Sequence, residues 1–442
     1  MSNTRTTRWR ALTTGVVAAV GLALAGCSTA APADTTAAAP PSEESVELSV
    51  WTWSADARTA LEETVLPTFM AANPGIKVSV TQHPNQNYET LLTTALSGSG
   101  SPDVVAVRSG ILEGMAANQA ILPLTDVVAS WDGFTDSVLG TVSSRADGLV
   151  YAVPQGIQTA QVYYNKKIFS DNGLQVPTTW QEFLQLCEAL KTAGVAPIVI
   201  PGGDVPQTAL GAEIFQNARR GAADFQRRFL TGETTMTDPQ NVAAFALMDE
   251  IKPYLVDDVT AVTLDAAVTL FATGKAAMFP SGTWQVSTFR GLGADLDYDS
   301  FDVPVGPDWP VDKAVTVGYV DGGWALAARS EHPEQAKRLI DYFSTAEFAQ
   351  AYTNAMGTIP ARAGVTLENP LLAAMKERYE ANPSTYLGNA YLRFGTPTGT
   401  ELVGGLVQRQ WLGDLSAADA AAEYQAGLDA WFDPADFAST VQ

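Results

Sequence analysis

The segment over residues 147–167, DGLVYAVPQGIQTAQVYYNKK, predicts that the chain passes from one folded lobe to another. Leu149, Tyr151 and Val153 alternate with smaller residues, as side chains do in a half-buried strand. Pro154 cannot donate to a strand ladder, so this strand should end there. A second extended run, VYYN, follows a polar loop that contains a glycine. A polar loop between two strands near the middle of a long chain suits a crossing between lobes.

Strands and helices alternate in the sequence before this crossing. Apolar alternation predicts strands over residues 46–53 and 76–80, and a continuous apolar run predicts a buried strand over residues 103–107. Helical spacing of apolar residues separates these strands over residues 57–72 and 88–96. Because strands and helices alternate again after the crossing, the sequence predicts an α/β fold with two lobes. Each lobe should be a mostly parallel sheet flanked by helices.

The amino terminus has the features of an exported protein. Three early arginines precede an apolar run over residues 11–25, and Leu-Ala-Gly precedes Cys27. Basic, apolar and small-residue segments in this order are typical of a secretory signal peptide. Leu-Ala-Gly-Cys resembles the bacterial lipobox, which implies a signal peptide over residues 1–26 and lipidation of Cys27. An ordinary signal peptide with a chance cysteine is the alternative.

The segment that follows the signal peptide has the composition of a linker. Residues 27–45 are rich in Ala, Thr, Pro and Ser and contain almost no large apolar side chains, so they cannot form a packed core. We expect a disordered tether that holds the folded body at the extracytoplasmic face of the bacterial cell membrane. About 400 residues remain after it, which favours two lobes over one.

Composition argues against several kinds of partner and site. The formal net charge of −22 repels nucleic acids and anionic lipid surfaces, so we expect neither as a partner. The two histidines, His83 and His332, are far apart in sequence, which argues against a zinc site or a histidine-based triad. No phosphate-binding glycine motif is found, and Cys187 is expected to be a buried thiol. We therefore predict no metal, no cofactor and no catalytic residue.

Six short motifs occur in a fixed order behind the lipobox. They are NPGIKV (73–78), SPDV (101–104), the segment 147–167, PTTWQEF (177–183), FATGKAAM (271–278) and GGWALA (322–327). Together they resemble the family 1 extracellular solute-binding proteins, the sugar-binding lipoproteins of bacterial ABC importers. The resemblance covers most of the mature chain.

The resemblance implies a periplasmic-binding-protein-like fold with a ligand cleft between two α/β lobes. By this likeness the chain crosses between lobes near Pro154, near Asp321 and near Ile359. The first lobe would then comprise residues 46–153 plus 322–359. The second would comprise residues 154–321 plus 360–442.

The same resemblance indicates where ligand contacts lie. Trp284 matches a recurrent stacking aromatic, and Gly323 with Trp324 matches a crossing segment that presents a backbone group and a ring. Arg362 matches a cleft arginine, and Gln158 occupies a first-crossing position where relatives often have an acidic or amide residue.

Further candidates come from their own chemistry and position. A sugar offers hydroxyl groups and flat C–H faces, so its site needs carboxylates, amides or arginines together with aromatic platforms. Such residues follow predicted strands, where α/β folds bind ligands, or adjoin a crossing. They are Trp53, Asp56, Asn85, Arg108, Asp204 and Asp321.

Most of these candidates also have a purely structural alternative. The tryptophans could pack in a core or between the lobes. Asp56 and Asp204 could cap helices, and Asn85 could be a turn residue. The two arginines could bridge acidic neighbours in this acidic protein.

Three classes of function remain open on the residues alone. The first is a monomeric binding protein that captures a mono- or oligosaccharide by hinge closure and delivers it to ABC permease subunits, with a non-sugar solute as a variant. The second is a secreted lipoprotein enzyme such as a glycosidase, which needs two carboxylates facing each other across a cleft. The third is a passive surface protein. The ordered motifs favour the first class, but the sequence does not name the sugar.

Overall fold

The structure, a computed structural model, describes residues 45–292, 296–393 and 395–437. The predicted signal peptide, the lipidation of Cys27 and nearly all of the predicted tether lie outside the described residues. None of the helices in the described ranges is long and apolar enough to span a bilayer.

Strands and helices alternate along the described chain. The strands are β1 (Val46–Thr52), β2 (Ile76–Gln82), β3 (Val104–Arg108), β4 (Ile121–Leu122), β5 (Val153–Pro154), β6 (Ile157–Asn165), β7 (Ala196–Ile198), β8 (Ala276–Gly282), β9 (Tyr298–Phe301), β10 (Thr316–Val320), β11 (Gly322–Ala327) and β12 (Pro383–Thr385). The α-helices are α1 (Ala55–Ala60), α2 (Leu66–Ala72), α3 (Tyr88–Ser97), α4 (Ser109–Ala117), α5 (Asp136–Gly140), α6 (Lys166–Asp171), α7 (Trp180–Thr192), α8 (Val205–Arg220), α9 (Ala222–Leu230), α10 (Pro239–Ile251), α11 (Leu264–Ala272), α12 (Gln285–Gly291), α13 (Pro333–Phe343), α14 (Ala346–Met356), α15 (Pro370–Ala381), α16 (Leu387–Ala390), α17 (Gly399–Leu412) and α18 (Ala417–Leu428). Short 3-10 helices cover Asn85–Asn87, Lys252–Tyr254, Val259–Ala261 and Pro434–Asp436.

Two sheets divide the described chain into two lobes, as predicted. The sheet of the first lobe has the order β2-β1-β3-β11-β4, with β5 also paired to β11. The sheet of the second lobe has the order β12-β10-β6-β8-β7, with β9 also paired to β6. Helices pack against both sheets, so the α/β class with two lobes is confirmed. We propose the lobe boundaries given above as the division between them.

Strand direction differs from the predicted mostly parallel sheets. In the first lobe β1 is parallel to β2 and β3, but β11 is antiparallel to β3, β4 and β5. In the second lobe β6 is antiparallel to β8, β9 and β10, and only β7 with β8 and β10 with β12 are parallel. The chain enters the second lobe along β6 and leaves it along β10, and adjacent incoming and outgoing strands run in opposite directions. Both sheets are therefore mixed.

The crossings are short and lie side by side. β5 ends at Pro154 and β6 begins at Ile157, whereas one residue, Asp321, separates β10 from β11. A third segment joins them where the Ile157 N–H donates to the Ile359 carbonyl at 2.8 Å. Gly322 has φ of 146°, and a Cβ there would lie 2.0 Å from the Val107 carbonyl oxygen. A glycine is thus required where β11 enters the first sheet.

The strands that flank the first crossing differ in length from the prediction. The strand expected over residues 149–153 is reduced to β5, while β6 begins at Ile157, well before the apolar VYYN run. β6 is longer because its polar first half pairs with β10, from Ile157 opposite Val320 to Ala160 opposite Val317. Backbone pairing between two crossing strands therefore outweighs the polar character of the side chains.

Two predicted helices are interrupted where helical geometry fails. The helix predicted over residues 57–72 consists of α1 and α2 with a π-helical turn, Leu61–Val65, between them. Pro67 follows this turn, and it has no N–H to donate to the preceding turn. The sequence also predicts one helix over residues 209–230, but it is split at Gly221, whose φ of 113° ends α8 in a left-handed conformation.

Candidate functional site

A cavity of about 600 Å³ lies between the two lobes and draws its walls from both. The first lobe contributes Trp53, Ser54, Asp56, Asn85, Glu89, Arg108, Gly110, Ile111, Tyr352, Met356 and Gly357. The second lobe contributes Pro206, Gln207, Leu264, Trp284, Asn389, Arg393, Thr398, Thr400 and Glu401. The crossings contribute Gln155, Gly156, Gln158, Tyr319, Asp321 and Thr358. The cavity has the size and position expected of a small-molecule site.

The wall of the first lobe carries an indole with a guanidinium on its face. Trp53 directly follows β1, and the guanidinium carbon of Arg108 lies 4.3 Å from the centroid of its ring. Arg108 also donates to Glu89 Oε1 at 3.1 Å and to Asn85 Oδ1. These contacts fix the orientation of the Trp53 platform and leave polar groups around it.

The floor of the cavity is formed by polar residues of the crossings. The carboxylate of Asp321 lies 3.2 Å from Nη1 of Arg393 and 3.9 Å from Nε of Arg108. Gln158 accepts a hydrogen bond of 2.6 Å from the Thr283 hydroxyl, which leaves the amide NH₂ group of Gln158 as a donor for another partner.

The wall of the second lobe carries a second indole. Trp284 is half-buried and lies between the end of β8 and the start of α12. Its ring lies against Gly282, where a Cβ would approach the ring to 2.0 Å. The absence of a side chain at Gly282 therefore leaves the space that the ring occupies.

Near Asp56 the two lobes touch directly. Ser54 caps α1, because its hydroxyl accepts from the Ala57 N–H at 3.1 Å, so Asp56 is not the cap. The Asp56 carboxylate instead accepts a hydrogen bond of 2.6 Å from the hydroxyl of Ser287 on α12. This bond joins the first lobe to the second at the edge of the cavity.

Phenol groups complete the walls as neutral donors. Burial raises the pKa of Tyr319, and the neighbouring Asp321 carboxylate raises it further. Burial likewise raises the pKa of Tyr352, with a smaller contribution from Asp56. The Tyr352 hydroxyl is buried and has no hydrogen-bond partner among the residues that the structure describes. Both phenols therefore stay protonated at physiological pH and can donate to a polar group.

Seven of the predicted ligand-contact residues are brought together around this cavity. They are Trp53, Asp56, Asn85, Arg108, Gln158, Trp284 and Asp321. The remaining four lie elsewhere.

Trp324 and Gly323 belong to the interior of the first lobe, which corrects their prediction as ligand contacts. Trp324 is 0% exposed and packs against Phe343 and Tyr352. Gly323 is buried between β3 and β5, where a Cβ would lie 2.5 Å from the Val153 carbonyl oxygen. β11 is covered on both faces, so it presents neither residue to the cavity.

Asp204 and Arg362 also lie outside the lining of the cavity. Asp204 caps α8 and accepts from the Gln207 N–H at 3.4 Å, which is the structural alternative considered above. The guanidinium of Arg362 lies over the Phe134 ring, 5.3 Å from its centroid, and against Gly133. Neither residue lines this cavity, and their role as ligand contacts stays a prediction.

Several lining residues carry no local signal in the sequence. Glu89 lies in the first turn of α3, Tyr352 lies within α14, and Arg393 follows α16. None of them follows a buried strand or belongs to one of the six motifs. They reach the cavity only because helices far apart in sequence pack at its edge.

The arrangement suits binding of a polar molecule with flat apolar faces. Each lobe offers one indole, and the space between them is edged by carboxylate, amide, guanidinium and phenol groups. Such groups bond hydroxyls that both donate and accept. No group of three or more His, Cys, Asp or Glu side chains that could hold a metal ion is found within the described ranges.

Comparison with characterised sequences gives consistent relatives. The multiple sugar-binding protein of Streptococcus mutans is 22% identical over 397 residues, which are 85% of this chain and 88% of that protein. The arabinooligosaccharide-binding protein of Halalkalibacterium halodurans is 23% identical over 354 residues, which are 76% of this chain and 76% of that protein. These relatives are similar along most of their length.

Comparison with solved structures shows the same fold. RafE in complex with raffinose matches with a TM-score of 0.72 and 23% identity, covering 87% of this chain and 99% of that chain. A chitin oligosaccharide binding protein matches with a TM-score of 0.74 and 23% identity, covering 88% and 99%.

The family profile described as bacterial extracellular solute-binding protein matches residues 52–350. The match begins at the last residue of β1 and extends into α14, so it includes every strand of both sheets apart from β12 and the rest of β1. Because it covers more than half of the sequence, the chain belongs to the bacterial extracellular solute-binding protein family.

Proposed function

We propose that this protein is the extracellular substrate-binding component of an ABC-type carbohydrate importer, and that it captures a mono- or oligosaccharide between its lobes. The observation that carries the proposal is the pair of indoles, Trp53 and Trp284, contributed by the two lobes to one cavity that also has polar side chains in its lining. An indole stacks on the C–H face of a sugar, and the polar groups at its edge bond the hydroxyls. The names of several relatives, which include binding proteins for multiple sugars and arabinooligosaccharides, support the same class of ligand.

The importer role implies a partner and a location. A binding protein of this kind delivers its ligand to permease subunits in the membrane, and membership of an extracellular family supports a location outside the cytoplasm. We propose that lipidation of Cys27 holds the protein at the extracytoplasmic face of the cell membrane, with residues 27–45 as the tether. We further propose that the protein acts as a monomer.

We also propose that the protein is not an enzyme. A glycosidase needs one carboxylate as an acid and another as a base or nucleophile. Two of the acidic residues lining the cavity, Glu89 and Asp321, are instead paired with arginines. A carboxylate that is already occupied by a guanidinium is not free to approach a glycosidic bond as the acid or the nucleophile.

A thermal-shift screen against mono- and oligosaccharides tests this function. A ligand that binds only the folded state adds about 2.7 kcal/mol of stability at a concentration of one hundred times its Kd, so the melting temperature should rise with sugar concentration. Chromatography of the same mixtures should show the sugar unchanged. Appearance of a shortened product would favour the glycosidase, and a rise with a non-sugar solute alone would overturn the carbohydrate assignment.

Replacement of Trp284 by alanine should weaken sugar binding while the fold survives. Loss of a stacking aromatic at a binding site costs about 2 kcal/mol, or roughly thirtyfold in Kd. Gly282→Ala should have a similar effect, since the added methyl displaces the ring. Isothermal titration with the sugar that gives the largest shift in the screen measures both effects.

Trp309→Ala is the matched control for this pair of variants. Trp309 is also half-buried in the second lobe, but it packs against Trp180 and does not line the cavity. Its loss should lower the melting temperature and leave the Kd unchanged. An unchanged Kd in Trp284→Ala would remove this indole from the proposed site.

A further inference from the structure

Asp321 lies at the junction of the lobes and holds one arginine from each of them. It is the single residue between β10 of the second sheet and β11 of the first. Its two carboxylate oxygens point at different partners, Oδ2 towards Nε of Arg108 at 3.9 Å and Oδ1 towards Nη1 of Arg393 at 3.2 Å. Arg108 ends a strand of the first lobe, and Arg393 follows a helix of the second lobe. One carboxylate therefore links the two lobes.

These three side chains are only partly accessible to solvent. The exposed fraction is 27% for Asp321, 14% for Arg108 and 15% for Arg393. Charges in such surroundings are screened less by salt than surface charges are. Without the carboxylate, two guanidinium groups would face the same point at the floor of the cavity, and their repulsion would push the lobes apart.

The contact of Arg393 with the first lobe depends on a glycine. Gly110 is the second residue of α4, and a Cβ built there would lie 2.7 Å from Nε of Arg393 and 3.2 Å from its Cβ. The same end of α4 is tied to the crossing, because the Ser109 hydroxyl donates to the Val320 carbonyl at 2.9 Å. The bare backbone of Gly110 thus lets a side chain of the second lobe lie directly on the first.

We propose that Asp321, Arg108, Arg393 and Gly110 form an interlobe clasp, which sets how closely the two lobes approach each other and thereby tunes the affinity of the cavity. Asp321 and Arg393 are positioning residues in this clasp. Arg108 extends it to the ligand platform, since its guanidinium also lies on the Trp53 ring. The link to affinity rests on the proposed function, whereas the link to lobe approach does not.

Two alanine substitutions on the same helix test the clasp in the ligand-free protein. Gly110→Ala should displace Arg393, whereas Gly114→Ala adds its methyl where nothing lies within 4 Å. Alanine is the better helix former at both positions, so neither change should weaken α4 by itself. We expect small-angle scattering to give a larger radius of gyration for Gly110→Ala and an unchanged one for Gly114→Ala. Equal radii for wild type, Gly110→Ala and Gly114→Ala would overturn the clasp.

Asp321→Asn tests the charge directly. The amide keeps the shape of the side chain but removes the negative charge, so the ligand-free protein should expand at low salt and contract again as salt screens the two arginines. In an Arg393→Gln background, Gly110→Ala should cause less expansion than in the wild-type background, because the guanidinium that the added methyl displaces is absent. Additive expansion, or an Asp321→Asn variant as compact as wild type at low salt, would contradict the proposal.

Measurement of sugar binding by the same variants distinguishes failure of the clasp from failure of the proposed function. If the screen identifies a sugar, Asp321→Asn should weaken its binding by about tenfold or more, as expected for removal of one partner of a partly buried charge pair. Gly110→Ala should weaken it in the same direction, because the added methyl displaces Arg393 from that carboxylate. If no sugar binds, the proposed function fails, while the scattering comparison still decides the clasp. If a sugar binds and the variants match Gly114→Ala in both radius and Kd, the clasp fails and the proposed function stands.

Discussion

Replacement of Trp324 by alanine is expected to lower the free energy of unfolding by about 3–5 kcal/mol, the range for loss of a fully buried Trp or Phe side chain. The ring is 0% exposed. Its centroid lies 5.4 Å from that of Phe343 and 6.1 Å from that of Tyr352. The neighbouring helices α13 and α14 are held by the sheet and cannot collapse fully into the space. Chemical denaturation followed by circular dichroism measures the change.

Trp324→Phe is the matched control for this prediction. The indole Nε1 is buried without a hydrogen-bond partner among the described residues, so phenylalanine removes no hydrogen bond and keeps most of the ring volume. We expect a smaller loss of stability than for alanine, together with an unchanged Kd for sugar. If Trp324→Ala unfolds like wild type and Trp324→Phe binds sugar weakly, the ring is a ligand contact, as the family resemblance implied.

The placement of Trp324 shows why the sequence could not assign it. Every residue of β11 is buried, so its sequence, GGWALA, has no alternation of polar and apolar side chains that would mark a solvent face. A tryptophan beside a crossing can then point into the cavity or into the lobe with equal plausibility. The choice depends on α13 and α14, which follow later in the chain and pack over that face.

The opposite case is the cluster of Trp53, Asn85 and Arg108, which was predictable. The strands β1, β2 and β3 are parallel neighbours, so their carboxyl ends meet at one edge of the sheet. Residues at those ends come together whatever the details of packing. This rule does not predict the positions of Arg393 and Tyr352, since neither residue follows a strand.

Local sequence patterns could not predict the strand directions in the second lobe, for a related reason. Strand–helix alternation along the chain predicts parallel neighbours only when each strand returns to the same sheet after one helix. β6 begins at Ile157 and β10 begins at Thr316, 159 residues later, yet they pair because both are crossing strands. Their pairing follows from the two-lobed topology and not from any local segment.

Replacement of Arg220 by methionine is expected to lower the free energy of unfolding by about 3–5 kcal/mol, because it leaves a buried carboxylate without its counter-charge. The side chains of Arg220 and Glu213 are each 2% exposed, and Nη1 of Arg220 lies 3.1 Å from Oε2 of Glu213. Arg220 also donates to Asn241 Oδ1 at 2.8 Å and to Gln216 Oε1 at 3.0 Å. Its removal therefore leaves three buried acceptors without this hydrogen-bond donor.

A double-mutant cycle identifies the cause of this loss. Glu213→Gln removes the carboxylate charge, so Arg220→Met should cost less in that background, with a coupling free energy of roughly 1–3 kcal/mol. Because none of the four side chains lines the cavity, a folded Arg220→Met variant should bind sugar with an unchanged Kd. Additive losses in the two single variants would show that the methionine acts through packing, and that the buried ion pair contributes little to the stability of the second lobe.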